Sequence, residues 1–221
     1  MEDVTTISAS DKASMFIEIL EVCINTLLCI RGVYPEGAFV RQRAFGVTIY
    51  MSHHQALSEF ISGQLMNAKT LFEKQVVERL ALCIIAANTI IEQYDFTLQL
   101  TPNTIDLNQS IRDTEDQVRD FLIKLTALET QLHPLPIGAT FTLLLHTRDN
   151  DQVNEFLDNP QCSWGVDSSS RDECTRSFEG VPSIISIKRV STSLLNFELN
   201  LQIRSSSSGT SPAAGLTPLS S

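Results

Sequence analysis

The chain has 221 residues, 43% of them apolar and 19% charged, and a mean hydropathy of +0.03. This is the profile of a globular protein long enough to bury a core without disulfides or structural metals. Sixteen Lys and Arg against 26 Asp and Glu leave a formal charge of -10, which argues against direct nucleic-acid binding, because phosphate backbones select the opposite sign.

The first residues carry Glu2, Asp3 and Asp11 in place of the basic and apolar succession of a secretory leader, so no export is expected. The most apolar stretch, Met15 to Ile30, holds Glu18, Glu21 and Asn25 and is shorter than the roughly 20 apolar residues of a membrane span. Its apolar residues return every three to four positions, which predicts a central helix over Asp11 to Arg31. Gly32 and Pro35 end it. Phe45 to Met51 is a short β-rich run, and Ser52 with Gln55 has the spacing of a capping box. A second, amphipathic helix then runs to about Phe72, with Leu57, Phe60, Ile61, Leu65, Met66 and Leu71 as its core side. Val76 to Ala86 and the alternating Ile90 to Leu100 predict a hairpin around Asn88. A third helix, capped by Asn108 or Ser110, buries Val118, Phe121, Leu122, Leu125, Leu128 and Leu132 until Pro134 and Pro136 stop it. Ala139 to Thr147 reads as a strand apolar enough for the middle of a sheet.

The pattern then breaks over Arg148 to Pro182, a length of loop that is either functional or disordered. Between Asp149 and Val181 eight acidic residues face only Arg171 and Arg176. This segment reads either as a solvated loop or as an embracing one that brings Trp164, which has no local core around it, to a basic peptide. Ser183 to Val190 and Leu194 to Ile203 predict a closing hairpin, with Glu198 and Asn200 on its outer face. Ser205 to Ser221 has no charge and no aromatic and reads as a disordered tail.

Chemistry has little support. Cys23, Cys29, Cys83, Cys162 and Cys174 are odd in number and read as reduced thiols of a cytosolic or nuclear protein. His53 and His54 are adjacent and read as a surface pair, since no further ligand stands at metal spacing. No nucleophile elbow, phosphate loop or zinc-protease motif occurs, so neither enzymatic activity nor a cofactor is expected.

The succession of helix, strand, helix, hairpin, helix, strand, long loop and hairpin resembles the HORMA domain, an α+β fold of three helices on an antiparallel sheet. The segments GVYPEGAF (32–39), FGVTIYMSHH (45–54), LFEKQVVERL (71–80) and above all GATFTLLLHTR (138–148) resemble the branch that serves as accessory subunit of DNA polymerase zeta. The spindle-checkpoint Mad-two branch is the alternative.

The resemblance divides the chain into a flexible start at 1–13, a HORMA domain at 14–204 and the tail at 205–221. It implies a safety belt at 149–203 that closes over an extended proline-containing peptide paired with the sheet edge. The peptide-gripping aromatics fall on Phe60, where the family has a tyrosine, and on Trp164. For Phe60 the competing reading is plain core packing. The surface for the carboxy-terminal domain of the Rev-one scaffold falls on Ile184, Glu198 and Asn200, the last two replacing an amide and a tyrosine. Arg119 falls on an arginine used in HORMA dimerisation, and is otherwise a solvated helix residue. The implied partners are the polymerase zeta catalytic subunit, Rev-one, shieldin-type repair factors and other HORMA proteins. The implied location is the nucleus, with some in the cytoplasm.

Overall fold

A computed structural model of the chain describes residues 7–101, 107–148, 151–159, 162, 164 and 183–203. Most of the acidic stretch, Cys174 and the tail at 205–221 lie outside these described residues.

Helix α1 (Ala9–Ile30) starts inside the segment expected to be flexible, because the Ser8 hydroxyl accepts the Asp11 N–H and caps it. Its side chains are apolar around most of the circumference, and Phe16, Leu20, Cys23, Ile24 and Leu27 are buried. By length and composition α1 could cross a membrane, yet 67% of that window is buried inside the fold. It is the central core helix. The β-rich run expected at 45–51 is the second strand of a hairpin, β1 (Phe39–Ala44) with β2 (Val47–Ser52). The first strand escaped notice because Arg41, Gln42 and Arg43 make it polar.

Helix α2 (Gln55–Glu73) has no side-chain cap, so the proposed capping box does not form. The Ser52 hydroxyl instead accepts the His54 N–H, and the Gln55 amide reaches Glu59. Strands β3 (Val77–Ala86) and β4 (Thr89–Leu100) form the expected hairpin. Ala87 and Asn88 both have positive φ, 49° and 58°, the signature of the mirror-image turn that matches strand twist. Helix α3 (Leu107–Ala127) begins before both proposed caps, and the Ser110 carbonyl accepts the Thr114 hydroxyl within the helix. Its stripe Val118, Phe121, Leu122, Leu125 is buried as the periodicity requires.

Strand β5 (Thr140–Thr147), a short helix α4 (Asp151–Leu157) inside the supposedly patternless loop, and the hairpin β6 (Ser183–Ser191) and β7 (Leu195–Ile203) complete the described fold. Among the described residues the main sheet is antiparallel with order β5-β3-β4-β7-β6. Leu80, Leu82, Tyr94, Phe96, Phe197 and Leu199 join the helices' apolar faces in one core. Phe16 meets Phe72 and Phe121 meets Phe197 edge to face, at 5.4 and 4.9 Å between ring centroids.

Two polar networks lie within this fold. Arg31 makes a paired contact to Glu92 at 2.9 and 2.5 Å, and donates to the His133 carbonyl at 2.7 Å. The Tyr94 hydroxyl donates to the same carboxylate at 2.8 Å, and burial beside Glu92 pushes the phenol pKa up. On the other face of the sheet, buried Asp95 accepts from Gln93 and Gln202 at 2.9 and 2.7 Å and lies 3.5 Å from Arg79.

Candidate functional site

Strand β5 stands at the edge of the sheet and not, as its composition suggested, in the middle. Apolar residues on both faces of a strand report burial of those faces and say nothing about whether both edges are hydrogen-bonded. The β3 side of β5 is paired, from Val77 opposite Thr147 to Ile85 opposite Thr140, and no described strand lies on its other side. An unpaired edge of eight residues presents a row of N–H and C=O groups suited to an added strand.

Aromatic side chains gather beside this edge. Phe60, grouped with the core side of α2 by periodicity, is 43% exposed. Plain core packing therefore does not describe it. Its ring meets Phe141 of β5 at 5.9 Å and 78°, and Phe141 meets Tyr34 at 6.1 Å and 74°. Trp164 is half-buried against the core, and its indole N–H donates to the Gln64 carbonyl at 3.1 Å, one turn along α2 from Phe60. Sequence patterning left Trp164 without a core because its partners lie 100 residues away. Tyr34 and Phe141 were not singled out as site residues, although the YP turn and the FTLLLHTR strand already contained them. Cys162 donates weakly to the Trp164 carbonyl at 3.5 Å.

His146, at the far end of β5, is opposite Arg79. Burial first, and then the Arg79 charge, hold its pKa below the usual value.

The opposite edge is built from β6 and β7. Ile184 and Ile185 are exposed there. Glu198 is held by Arg189 at 2.8 Å and receives the Asn200 amide at 3.1 Å. These hydrogen bonds keep its carboxyl below the usual range. Glu198 and Asn200 do turn away from the core, but they are engaged with each other. Lys188 approaches Asp120 of α3 at 3.6 Å. Arg119, on the same helix, is fixed by Asp116 at 2.7 Å and by the Phe45 carbonyl at 3.2 Å. Gly46 leaves room for it, since a Cβ there would lie 2.7 Å from the guanidinium. Phe60 and Trp164 thus share one region. Ile184, Glu198 and Asn200 form a second, and Arg119 lies on a third surface.

Cys23 is buried, which raises its pKa. Cys29 is only half-buried, and burial together with Glu36 and Glu129 pushes its thiol up to about 11. His53 and His54 are exposed. Among the described residues no group of three His, Cys, Asp or Glu is placed to hold a metal.

A HORMA-domain family model matches residues 13–194. The chain belongs to the HORMA family. Among curated relatives, human mitotic spindle assembly checkpoint protein MAD2B is 32% identical over 139 residues, 62% of this chain and 66% of that protein. The Drosophila melanogaster DNA polymerase zeta subunit 2 is 28% identical over 63% of this chain and 71% of its own length. The Arabidopsis thaliana DNA polymerase zeta processivity subunit is 27% identical over 62% and 64%. The match thus spans about two thirds of the length of these relatives. Among solved structures, a chain of the mitotic checkpoint complex superposes with a TM-score of 0.74 at 19% identity, covering 90% of this chain and 97% of the other. Caenorhabditis elegans HTP-2 bound to the HIM-3 closure motif superposes at 0.63 and 12%, covering 90% and 92%. These structures support the α+β HORMA fold read from the sequence.

Proposed function

We propose that this HORMA chain is a non-catalytic adaptor that takes an extended, proline-containing partner peptide along β5 and holds it under the belt at 149–203. The observation that carries the reading is the placement of the terminal hairpin. With β6 and β7 on the β4 side of the sheet, no described strand covers the β5 edge beside Phe60, Phe141, Tyr34 and Trp164. Strand addition would supply backbone hydrogen bonds common to any peptide, and the aromatics would select its side chains.

Relatives named as polymerase zeta subunits favour a role as accessory subunit of that translesion polymerase. The β5 edge would hold the catalytic subunit, while Ile184, Glu198 and Asn200 would face the Rev-one scaffold. Shieldin-type factors in the choice of break repair would use the same β5 edge, Arg119 would serve HORMA dimerisation, and the nucleus would be the place of work. A spindle-checkpoint role is the rival, in keeping with the 26% identity to human mitotic spindle assembly checkpoint protein MAD2A.

Titration of the full chain with synthetic peptides from the polymerase zeta catalytic subunit and from a checkpoint activator, followed by the emission of Trp164, separates the two. Preference for the polymerase peptide with a shifted emission is expected. Preference for the checkpoint peptide would move the chain to the rival branch, and an indole blind to both would remove the belt reading.

A further inference from the structure

A cavity of about 550 Å³ opens between the C-terminal end of α1 and the turn that leads into β5. Its apolar lining is Ile30, Val33, Leu132, Leu135, Ile137 and Ala139, with Arg31 and Glu129 as its charged members. Two features connect it to the β5 edge. Ala139, which lines the cavity, closes the turn that leads directly into β5 at Thr140, one residue before Phe141. Val33 precedes Tyr34, the ring that Phe141 touches. The cavity therefore prolongs the row Phe60, Phe141, Tyr34 beyond Thr140.

The rim of this cavity is unusual. Pro136 accepts the Ala139 N–H at 3.3 Å, and Gly138 has φ of 82°, the conformation that the third position of a type II turn demands. This turn lifts Ile137 until it is 107% exposed, the most exposed of the large apolar side chains among the described residues. A single solvated isoleucine is ordinary by itself; here it stands at the rim of a cavity of mixed lining, next to the other apolar side chains that line it.

The charge is also one-sided. Arg31 is neutralised by Glu92, whereas Glu129 has no ion-pair partner among the described residues and joins Glu36 in raising the Cys29 pKa. Arg41 opposes the two glutamates at Cys29 and pairs with Glu36, so Glu129 is the one charge of the lining without an ion pair among the described residues.

We propose that this cavity is a specificity subsite of the β5 edge. It takes an apolar side chain of the partner peptide where that peptide runs past Thr140, with a Lys or Arg of the same peptide placed against Glu129. The inference rests on the edge reading above, because continuity with that edge is what selects a peptide as occupant. At about 3.3 Å per residue, three to four residues beyond the β5 pairing extend a peptide by roughly 10–13 Å past Thr140, whose neighbour Ala139 lines the cavity.

The test uses the full chain and synthetic peptides from the polymerase zeta catalytic subunit. One peptide matches the length of β5, and two others are extended by about four native residues at one end or the other. One extension is expected to raise affinity about tenfold. Ile137→Asp should remove that gain and leave the short peptide unaffected, since a side chain so exposed supports no packing. Glu129→Gln should remove part of the gain, together with its dependence on salt.

Equal affinity of short and extended peptides, or a gain that survives Ile137→Asp, would overturn the subsite while the edge reading stands. Failure of every peptide to bind, the checkpoint-activator peptide included, would remove the edge reading and the subsite with it. If Ile137→Asp instead abolished a concentration-dependent dimer in sedimentation and left peptide affinities unchanged, the occupant would be a second copy of the chain and the proposal would be overturned.

Discussion

The two edges of the main sheet are finished in opposite ways. At the β6 edge the chain returns on itself, and β6 and β7 extend the sheet while Arg189 with Glu198 and Lys188 with Asp120 tie the hairpin to itself and to α3. At the β5 edge the outer side of the end strand has no described neighbour, and aromatic rings gather there in place of ion pairs. Both end strands leave one side without a described strand, but β6 is braced from α3, where Gln117 bonds the Ser191 backbone at 2.9 and 3.1 Å and Asp120 meets Lys188. An open edge needs protection or a partner, and rings that are partly buried and partly presented are suited to the second outcome. The difference locates adaptability at β5 and permanence at β6.

The largest expected effect tests the aromatic edge directly. Truncating a central aromatic anchor costs about 2 kcal/mol or more of binding at an interface hot spot. Trp164→Ala and Phe60→Ala should each weaken the polymerase peptide by that order, as read by calorimetry. Their effects on the unliganded fold should differ. Trp164 is packed against the core and donates to Gln64, so its loss should lower the melting temperature. Phe60, 43% exposed, should leave that temperature nearly unchanged. This reverses the ranking that the sequence suggests, in which the tryptophan has no core and the phenylalanine does. Unchanged binding in both variants would erase the contrast between the edges.

The reversal shows what was legible in advance. Helices α1 and α3 and the β3–β4 hairpin were readable because their apolar period is local and strong. The second helix, the strand at 139–147 and the closing hairpin were also read from patterning, and the succession of elements then carried the family likeness. Edge or centre was not readable for β5: Leu143, Leu144 and Leu145 report burial of faces, while the missing neighbour is a fact of topology. Burial of Trp164 depends on Gln64, and pairing of Arg31 depends on Glu92, 61 residues away, so neither leaves a local trace. Grouping Phe60 and Met66 with the core side of α2 failed because a helix stripe includes flanking positions that stay outside the contact.

Acid should distinguish the two edges at different pH values. His146 on β5 has a folded-state pKa below its ordinary 6.5, so the unfolded chain takes up that proton first. Stability from this group should therefore fall as pH drops through about 6.5. Arg79, Asp95 and Glu78 surround it, so His146→Gln, which keeps a polar side chain there but cannot titrate, is the suitable variant. It should flatten the melting temperature between pH 7 and about 5.5, where the histidine titrates. Glu198 behaves oppositely in origin: its folded-state pKa lies below the ordinary 4.5. Its contribution is complete above that value and is lost as pH falls further, through the folded pKa. A melting profile that His146→Gln leaves unchanged would show that the β5 end does not sense pH.

The smallest expected effect lies at the braced β6 edge. Arg189 is mostly exposed although its contact to Glu198 is close, at 2.8 Å through Nε, and exposed ion pairs contribute about 0.2–1 kcal/mol. Arg189→Ala should therefore lower stability by less than about 1 kcal/mol, with peptide affinity at β5 unaltered. It also frees Glu198 and loosens Asn200, whose amide donates to the same carboxylate. If these residues meet the Rev-one domain, as proposed, affinity for that domain should change in the variant while the polymerase peptide binds as before. Such a split would establish that the two edges serve different partners. A parallel loss at both would mean that the β6–β7 hairpin and the β5 groove act as one coupled surface, and the contrast between a fixed edge and an adaptable one would fail.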